Sequence, residues 1–474
     1  MRLLLIGFIL GTVAPVLAQQ AGKGGGQQPG GPGQFAGELK DKQGPLMRCL
    51  MNAPRTNPPT RSLALLLVHH GMNGSENNYF GGTVEALKRL KLDDEFVVIA
   101  GKSKGPGWEL DVDGPIELRV IEWAKSVYPI DPRQVYIWGS SNGASFIGRF
   151  GWAHQDVVAA AVGYCGGYNF TKVEGKPGDG KTEWYFVHGG NDNPQNSYNG
   201  CKQLREMGYR YVFRQLDGYG HTDIWDGNGH PDKVLVDDCR DDYLRWLHAL
   251  RHKEVEPEKK EKEFLAKFES KSSAESYLSS KATYLMLQKI GGLQAGAIIV
   301  LGLDSKSSGT RAAAAEACET ASFGKSACEG LVKCASDENE HVRQNAIRAL
   351  GSYGVWHYPE ALEALTSIAS TKGDPKTGPT LGDRLLAVDG LARIVRLAMF
   401  GNFEDKKVWE TLVGLLDDDE VKLRNAAFLA IMKASKDAFG WKPELSGQAR
   451  KDAVGRWQQW LAQKVAAFEK PAAK

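Results

Sequence analysis

The chain has 474 residues, 42% of them hydrophobic and 24% charged, a globular composition that is long for one domain. Lys and Arg number 59 against 57 Asp and Glu, a net charge of +2, so nothing points to nucleic acid or another polyanion as a partner. Met1-Arg2, the apolar run Leu3 to Leu10 and the small residues of Val16-Leu17-Ala18 predict a secretory signal over 1–18, cut after Ala18. The expected destination is secreted or periplasmic. That run falls short of the ~20 residues a membrane-spanning helix needs, and no later stretch reaches it. Residues 19–45 are rich in Gly, Gln and Pro and predict a disordered tether.

Residues 46–251 alternate strand and helix patterns, which predicts a doubly wound, mostly parallel sheet. Ser62 to Val68 is a continuous apolar run, as in a central strand covered on both faces. It ends in His69-His70-Gly71-Met72. A helix is expected within Glu76 to Leu90, and a strand at Phe96 to Ala100. A loop carrying Trp108 and an amphipathic helix over Ile116 to Val127 follow. Val135 to Trp138 is a strand running into Gly139-Ser140-Ser141-Asn142-Gly143. This fits G-x-S-x-G with Ser141 at the nucleophile position, where flanking glycines remove Cβ atoms from a tight strand-to-helix turn. Val157 to Tyr164, Trp184 to Val187 and Tyr211 to Leu216 are further strands, with a helix from Ser197 to Met207 and a last one over Val236 to Leu250.

Asp192 follows one strand end, and His221 lies on a Gly-bracketed loop after the last strand. The order Ser141, Asp192, His221 suits a nucleophile, acid and base. Asp223 and Asp226 are rival acids and His230 a rival base. The backbone N–H groups of Asn142 and Met72 are the candidate oxyanion donors. His69 and His70 are expected to pin their loop, and His70, Trp108 and Trp225 are also candidates to line a substrate pocket. Cys201 and Cys239 flank the region holding His221, so they either form a disulfide or remain buried thiols. No C-x-x-C pair supports a zinc site, and no metal is expected.

Tyr128-Pro129-Ile130-Asp131-Pro132-x-x-Val135-Tyr136-Ile137-x-Gly139-x-Ser141-Asn142-Gly143, with His70-Gly71, His188-Gly189-x-x-Asp192 and Gly220-His221, resembles the polyhydroxybutyrate depolymerase and feruloyl esterase branch of the α/β-hydrolases. The resemblance covers residues 45 to 250. It implies an exported serine esterase without a cofactor, acting on a small-molecule or carbohydrate-linked ester. A serine peptidase uses the same fold and residues. Gly-Ser-Ser-Asn-Gly differs from the Gly-x-Ser-Ala-Gly common in the depolymerases, so polymer cleavage is not carried over.

Residues 252–272 are highly charged and predict a linker or an exposed helix bridging domains. From 273 to 474 strand signals vanish and Ala/Leu helical periodicity takes over. The stretch around Arg343 recurs around Arg384 and Arg424, with a weaker copy at Arg311, a spacing of about 40 residues. This resembles HEAT repeats, and Asp337 to Arg343 resembles their turn into a second helix. An all-α HEAT-like solenoid is expected, its arginines tying neighbouring repeats and Val454 to Val465 capping the end. A solenoid can also act as a scaffold for a protein partner, so a non-catalytic reading is the alternative.

Overall fold

The computed structural model describes residues 33–469 apart from 55–61, 171–181, 217, 222–232, 252–256, 258, 270, 373–377, 396–402 and 436. The signal over 1–18, most of the expected tether, Trp225, Asp223, Asp226 and His230 lie outside these residues.

Eight strands form one sheet: β1 (Gly33–Asp41), β2 (Gly44–Ala53), β3 (Leu63–His69), β4 (Phe96–Gly101), β5 (Ile130–Ser140), β6 (Ala160–Tyr164), β7 (Glu183–Gly189) and β8 (Tyr211–Leu216). Their spatial order is β1-β2-β4-β3-β5-β6-β7-β8. From β4 to β8 every pairing is parallel, and β1 and β2 join antiparallel at one edge. The helices of this part are α1 (Phe80–Leu90), α2 (Leu110–Val127), α3 (Asn142–Ala153), α4 (Gln195–Glu206) and α5 (Lys233–Ala249). They cover both faces. In β3, Leu63, Leu65 and Leu67 pack with α2, α3 and α4, while Ala64, Leu66 and Val68 pack with α1 and α5. A strand apolar at every position is the consequence of this double burial.

Two expectations are corrected in this part. Residues 33–45 belong to the β1–β2 hairpin rather than to a tether. Its turn is set by Gln43 N–H donating to Asp41 Oδ1 at 2.7 Å and by Gly44 at φ +117°, and Leu39, Leu46, Met47 and Met51 bury against the sheet. The Cys201–Cys239 disulfide does not form. Cys201 packs with α2 and α3 on one face, and Cys239 packs on the other. None of the seven cysteines forms a disulfide, and all are buried.

The charged segment takes the second of its two expected forms, a helix, but one with a buried carboxylate. It contains α6 (Lys259–Leu265), followed by α7 (Lys271–Leu278). Glu261 is buried, and its carboxylate meets Arg133 Nη2 at 2.9 Å. Arg133 also bonds Asp131, at 2.9 Å, and donates to the Ile290 carbonyl at 2.7 Å. The remainder is helical: α8 (Lys281–Ile290), α9 (Gly292–Leu303), α10 (Ser308–Ala317), α11 (Lys325–Cys334), α12 (Glu340–Val355), α13 (Pro359–Ser370), α14 (Leu381–Val395), α15 (Phe403–Gly414), α16 (Val421–Ser435) and α17 (Gly447–Glu469). From α9 to α16 each helix packs on the next one or two in the chain, and α17 closes the array with Trp457 fully buried.

The repeated arginine links successive pairs. Arg311 Nε meets Asp337 at 2.6 Å, Arg343 Nε meets Asp383 at 3.1 Å, and Arg384 Nη2 meets Asp418 at 2.5 Å. The cap of α12 is Asn339, whose Oδ1 accepts from the His341 and Val342 N–H groups. No helix among the described residues is long and apolar enough to cross a membrane.

The solenoid and the sheet share one core. A single apolar cluster runs from Val68 and Tyr136 through Trp246 to Leu331 and Ile347. Polar bonds cross the seam as well. Arg214 of β8, fully buried, donates to His357 Nε2 at 3.0 Å and to the Val355 carbonyl at 3.2 Å. Arg210 stacks 4.0 Å from the centre of the Tyr358 ring, and Ser322 N–H donates to the Ala249 carbonyl at 3.3 Å.

Candidate active site

Strand order reverses between β3 and β5, and the carboxyl ends of the strands beside that point are where an open α/β sheet holds its site. Ser141 stands there, between β5 and α3. Its backbone is at φ 54°, ψ −115°, a strained conformation for a residue with a Cβ. The glycines explain how the turn closes. A Cβ on Gly139 would run into the Gly143 carbonyl, and one on Gly143 would sit 2.5 Å from the His70 carbonyl oxygen and 2.7 Å from that of His69. These neighbours are backbone and cannot swing away. Gly143→Ala is therefore expected to destabilise the fold by about 3 kcal/mol or more, read as a lowered urea midpoint with unchanged m-value.

His221 bridges the other two residues. Its Nε2 lies 2.9 Å from Ser141 Oγ and its Nδ1 lies 2.7 Å from Asp192 Oδ2. With Nδ1–H facing a carboxylate, Nε2 carries the lone pair that the Ser141 hydroxyl meets. Such a chain can take a proton from the hydroxyl as it attacks. Ser140 is buried and accepts from Tyr79 Oη at 3.2 Å, which leaves the nucleophile position to Ser141.

Asp192 has two further partners that the sequence reading missed. His188 Nε2 lies 2.9 Å from the same Oδ2, and the Cys165 thiol bonds the carboxylate too. Burial raises the Asp192 carboxyl, but the bonds from His221 and Cys165 and the nearby imidazoles outweigh it and hold the group below its ordinary value. Burial drives His188 down to about 4, so it is neutral and donates from Nε2 while Nδ1 meets Ser197 Oγ at 2.7 Å. The signal for His188 was its place four residues before Asp192 at a strand end. Cys165, Asp192 and His221 each place a potential metal-ligating atom within 4.8 Å of the others. Burial pushes the Cys165 thiol up to about 12, however, so it is a protonated donor rather than a thiolate ligand.

Asn142 is the first residue of α3, so its N–H has no partner within the helix and points with the positive end of the helix dipole. The turn carrying Met72 lies against the same point, since a Cβ on Gly71 would be 3.3 Å from Ser141 Cβ. A strap from Ser103 to Glu109 ties the two together. Asn73 N–H donates to the Pro106 carbonyl at 2.6 Å, and Trp108 N–H donates to Asn142 Oδ1 at 2.6 Å. The buried carboxylate of Asp113 accepts from Lys104 N–H at 3.0 Å and Glu109 N–H at 2.8 Å, closing the strap at its base. Asn142→Ala removes the acceptor for Trp108. A roughly tenfold loss of kcat with little change in KM is expected from steady-state kinetics, and Asn142→Asp, which keeps the acceptor, retains most of the rate.

His70 and Trp108 belong to this support and do not line a pocket. Both are 1% exposed. Trp108 Nε1 donates to the His70 carbonyl at 3.1 Å, and its ring packs 4.6 Å from that of His69. His70 Nδ1 meets the Gly71 carbonyl at 2.6 Å, while its Nε2 accepts from Ser103 N–H at 3.2 Å. His69 faces two acceptors, the Trp138 carbonyl at 2.8 Å and Glu117 Oε1 at 2.7 Å. Both histidines pin the loop, as the sequence predicts.

The strand order, the elbow at Ser141 and the placement of Asp192 and His221 after β7 and β8 define an α/β-hydrolase fold, followed by a HEAT-like helical domain. A family model for HEAT repeats matches residues 296–377. Comparison with curated proteins finds no match. Among solved structures, the fluorophosphonate-binding serine hydrolase F of Staphylococcus aureus is 15% identical with a TM-score of 0.36, covering 46% of this chain and 99% of its own. A thermostable esterase is 21% identical with a TM-score of 0.37, covering 46% of this chain and 63% of its own. The acetyl xylan esterase of Aspergillus awamori is 18% identical with a TM-score of 0.31, covering 40% of this chain and 92% of its own.

Proposed function

We propose that this chain is an exported serine hydrolase that cleaves carboxylic esters with small, aromatic or carbohydrate-linked acyl groups through an acyl-Ser141 intermediate. The observation that carries the reading is His221, within hydrogen-bond reach of both Ser141 Oγ and Asp192. In the first half-reaction His221 Nε2 takes the Ser141 proton as Oγ attacks the ester carbonyl. The oxyanion that forms is met by the N–H groups of Asn142 and Met72. His221 then returns the proton to the leaving alcohol. Water repeats the sequence on the acyl-enzyme, releasing the acid and freeing Ser141. Asp192 keeps the His221 tautomer and stabilises the imidazolium, itself held by His188 and Cys165.

The solenoid takes no chemical step in this scheme. Its bonds to the sheet run through Arg133 near the start of β5 and through Arg210 and Arg214 of the β8 region. The test is labelling with an organophosphonate fluorophore, followed by peptide mapping. One adduct on Ser141, with turnover of p-nitrophenyl acetate that the label abolishes, is the expected result. Turnover that survives complete labelling would place the activity elsewhere.

A further inference from the structure

A cleft of about 430 Å³ lies on the seam between the two domains, away from Ser141. One wall is α1 and α5, with Leu90, Leu92, Asp242, Arg245 and His248, and the other is the solenoid, with Glu319, Ser352, Val355, Trp356 and Arg393 among its residues. Its charges are unevenly satisfied. Asp242 meets Tyr185 Oη at 2.5 Å and Arg214 Nε at 3.6 Å, and His248 bonds Glu95 at 2.8 Å. Among the described residues, Arg393 bonds only the neutral Ser352 hydroxyl, which accepts at 3.1 Å, and Arg245 has no bonded partner. Glu319 also lines the cleft and bonds no cation among the described residues. Leu90, Leu92, Val355 and Trp356 give the cleft an apolar wall.

We infer that this seam cleft binds an amphiphilic monoanion, a carboxylate or phosphate head on a short apolar body. The head sits between Arg245 and Arg393, which come from different domains, and the body lies along Trp356 and Leu92. Planar guanidiniums accept such heads through paired hydrogen bonds. The buried Ser352 hydroxyl accepts from Arg393, so its own proton is available to the ligand. Because one ligand bridges both domains, its binding stabilises the seam.

The test is isothermal titration calorimetry of the full chain with octanoate at fixed ionic strength, beside octan-1-ol and inorganic phosphate. Saturable one-site binding of octanoate is expected, at least about tenfold tighter than octan-1-ol. Arg393→Gln and Arg245→Gln should each weaken it roughly tenfold. Both variants should keep the melting temperature of the free protein and the wild-type rate on p-nitrophenyl acetate, which separates this site from Ser141. Phosphate binding that needs the same arginines would assign the site to the head alone and overturn the amphiphile. Octanoate binding indifferent to both substitutions, octan-1-ol binding equally well, or no binding at all would overturn the site.

Discussion

Replacing Ser141 by alanine is expected to lower kcat/KM for p-nitrophenyl acetate by about ten-thousand-fold or more, with the melting temperature unchanged or raised. The rate falls because no other group supplies the attacking oxygen. The strain at φ 54° is a property of the elbow, which the glycines and the Tyr164 carbonyl hold regardless of the side chain; Ser141 N–H donates to that carbonyl at 2.8 Å. His221→Ala should cost a similar factor. The double variant should be no worse than either single one, because the residues act as one unit. Asp192→Asn should also fall by orders of magnitude, since an amide facing His221 Nδ1 favours the wrong tautomer. A Ser141→Ala protein that keeps even a tenth of the rate would refute the assignment.

The second large effect is on stability in mild acid. Three buried histidines each have a ring nitrogen that accepts a hydrogen bond. His70 Nε2 accepts from Ser103, His188 Nδ1 meets Ser197 Oγ, and His357 Nε2 accepts from Arg214. A proton on any of these nitrogens breaks its bond and leaves a cation inside the fold. Burial accordingly holds His70 and His188 down at about 4, and burial with the adjacent Arg214 and Arg210 holds His357 well below its ordinary value. The unfolded chain takes these protons near ~6.5. The folded chain therefore binds fewer protons below that pH. This part of the stability is full above ~6.5 and is lost as pH falls toward about 4. At pH 5, His70 and His188 each cost on the order of 2 kcal/mol, and His357 adds to that. Denaturant melts at pH 7.5 and pH 5 should show the loss. His357→Gln, which can still accept from Arg214, should flatten part of it. A midpoint that does not move between the two pH values would refute the neutral assignments.

The residues that carry chemistry were legible because their spacing is forced. An elbow needs small residues on both sides of Ser141, and a base after the last strand leaves few positions for His221. The support around them was harder to read. Asp113, Cys165 and the Asn142 side chain act through backbone amides or through one partner distant in sequence, and no periodicity announces that. Trp108 reads as a pocket residue for a related reason. An aromatic residue on a Gly-rich loop looks available to a ligand until its indole N–H is found bonded to the His70 carbonyl. The hairpin over 33–53 was hidden by the Gly/Gln/Pro composition leading into it. For the solenoid, a repeat of about 40 residues gave the architecture, but not its attachment. The one clue was Arg214, a charge in the middle of the otherwise buried strand Tyr211–Leu216. A cation at such a position needs a carbonyl or imidazole from another element, and α12 and the turn after it supply both.

The shared core changes how the repeat array should come apart. A free-standing solenoid can unzip from either end, because each repeat leans only on its neighbours. Here the early repeats are fastened to the sheet through Ile290, Ser322, Val355 and His357. Fraying is therefore directional, starting at α17 and moving inward. The last repeats to open are those whose loss also uncovers the sheet. Such a chain tolerates trimming at its far end, whereas a cut between α5 and α8 leaves two halves that each expose a greasy face.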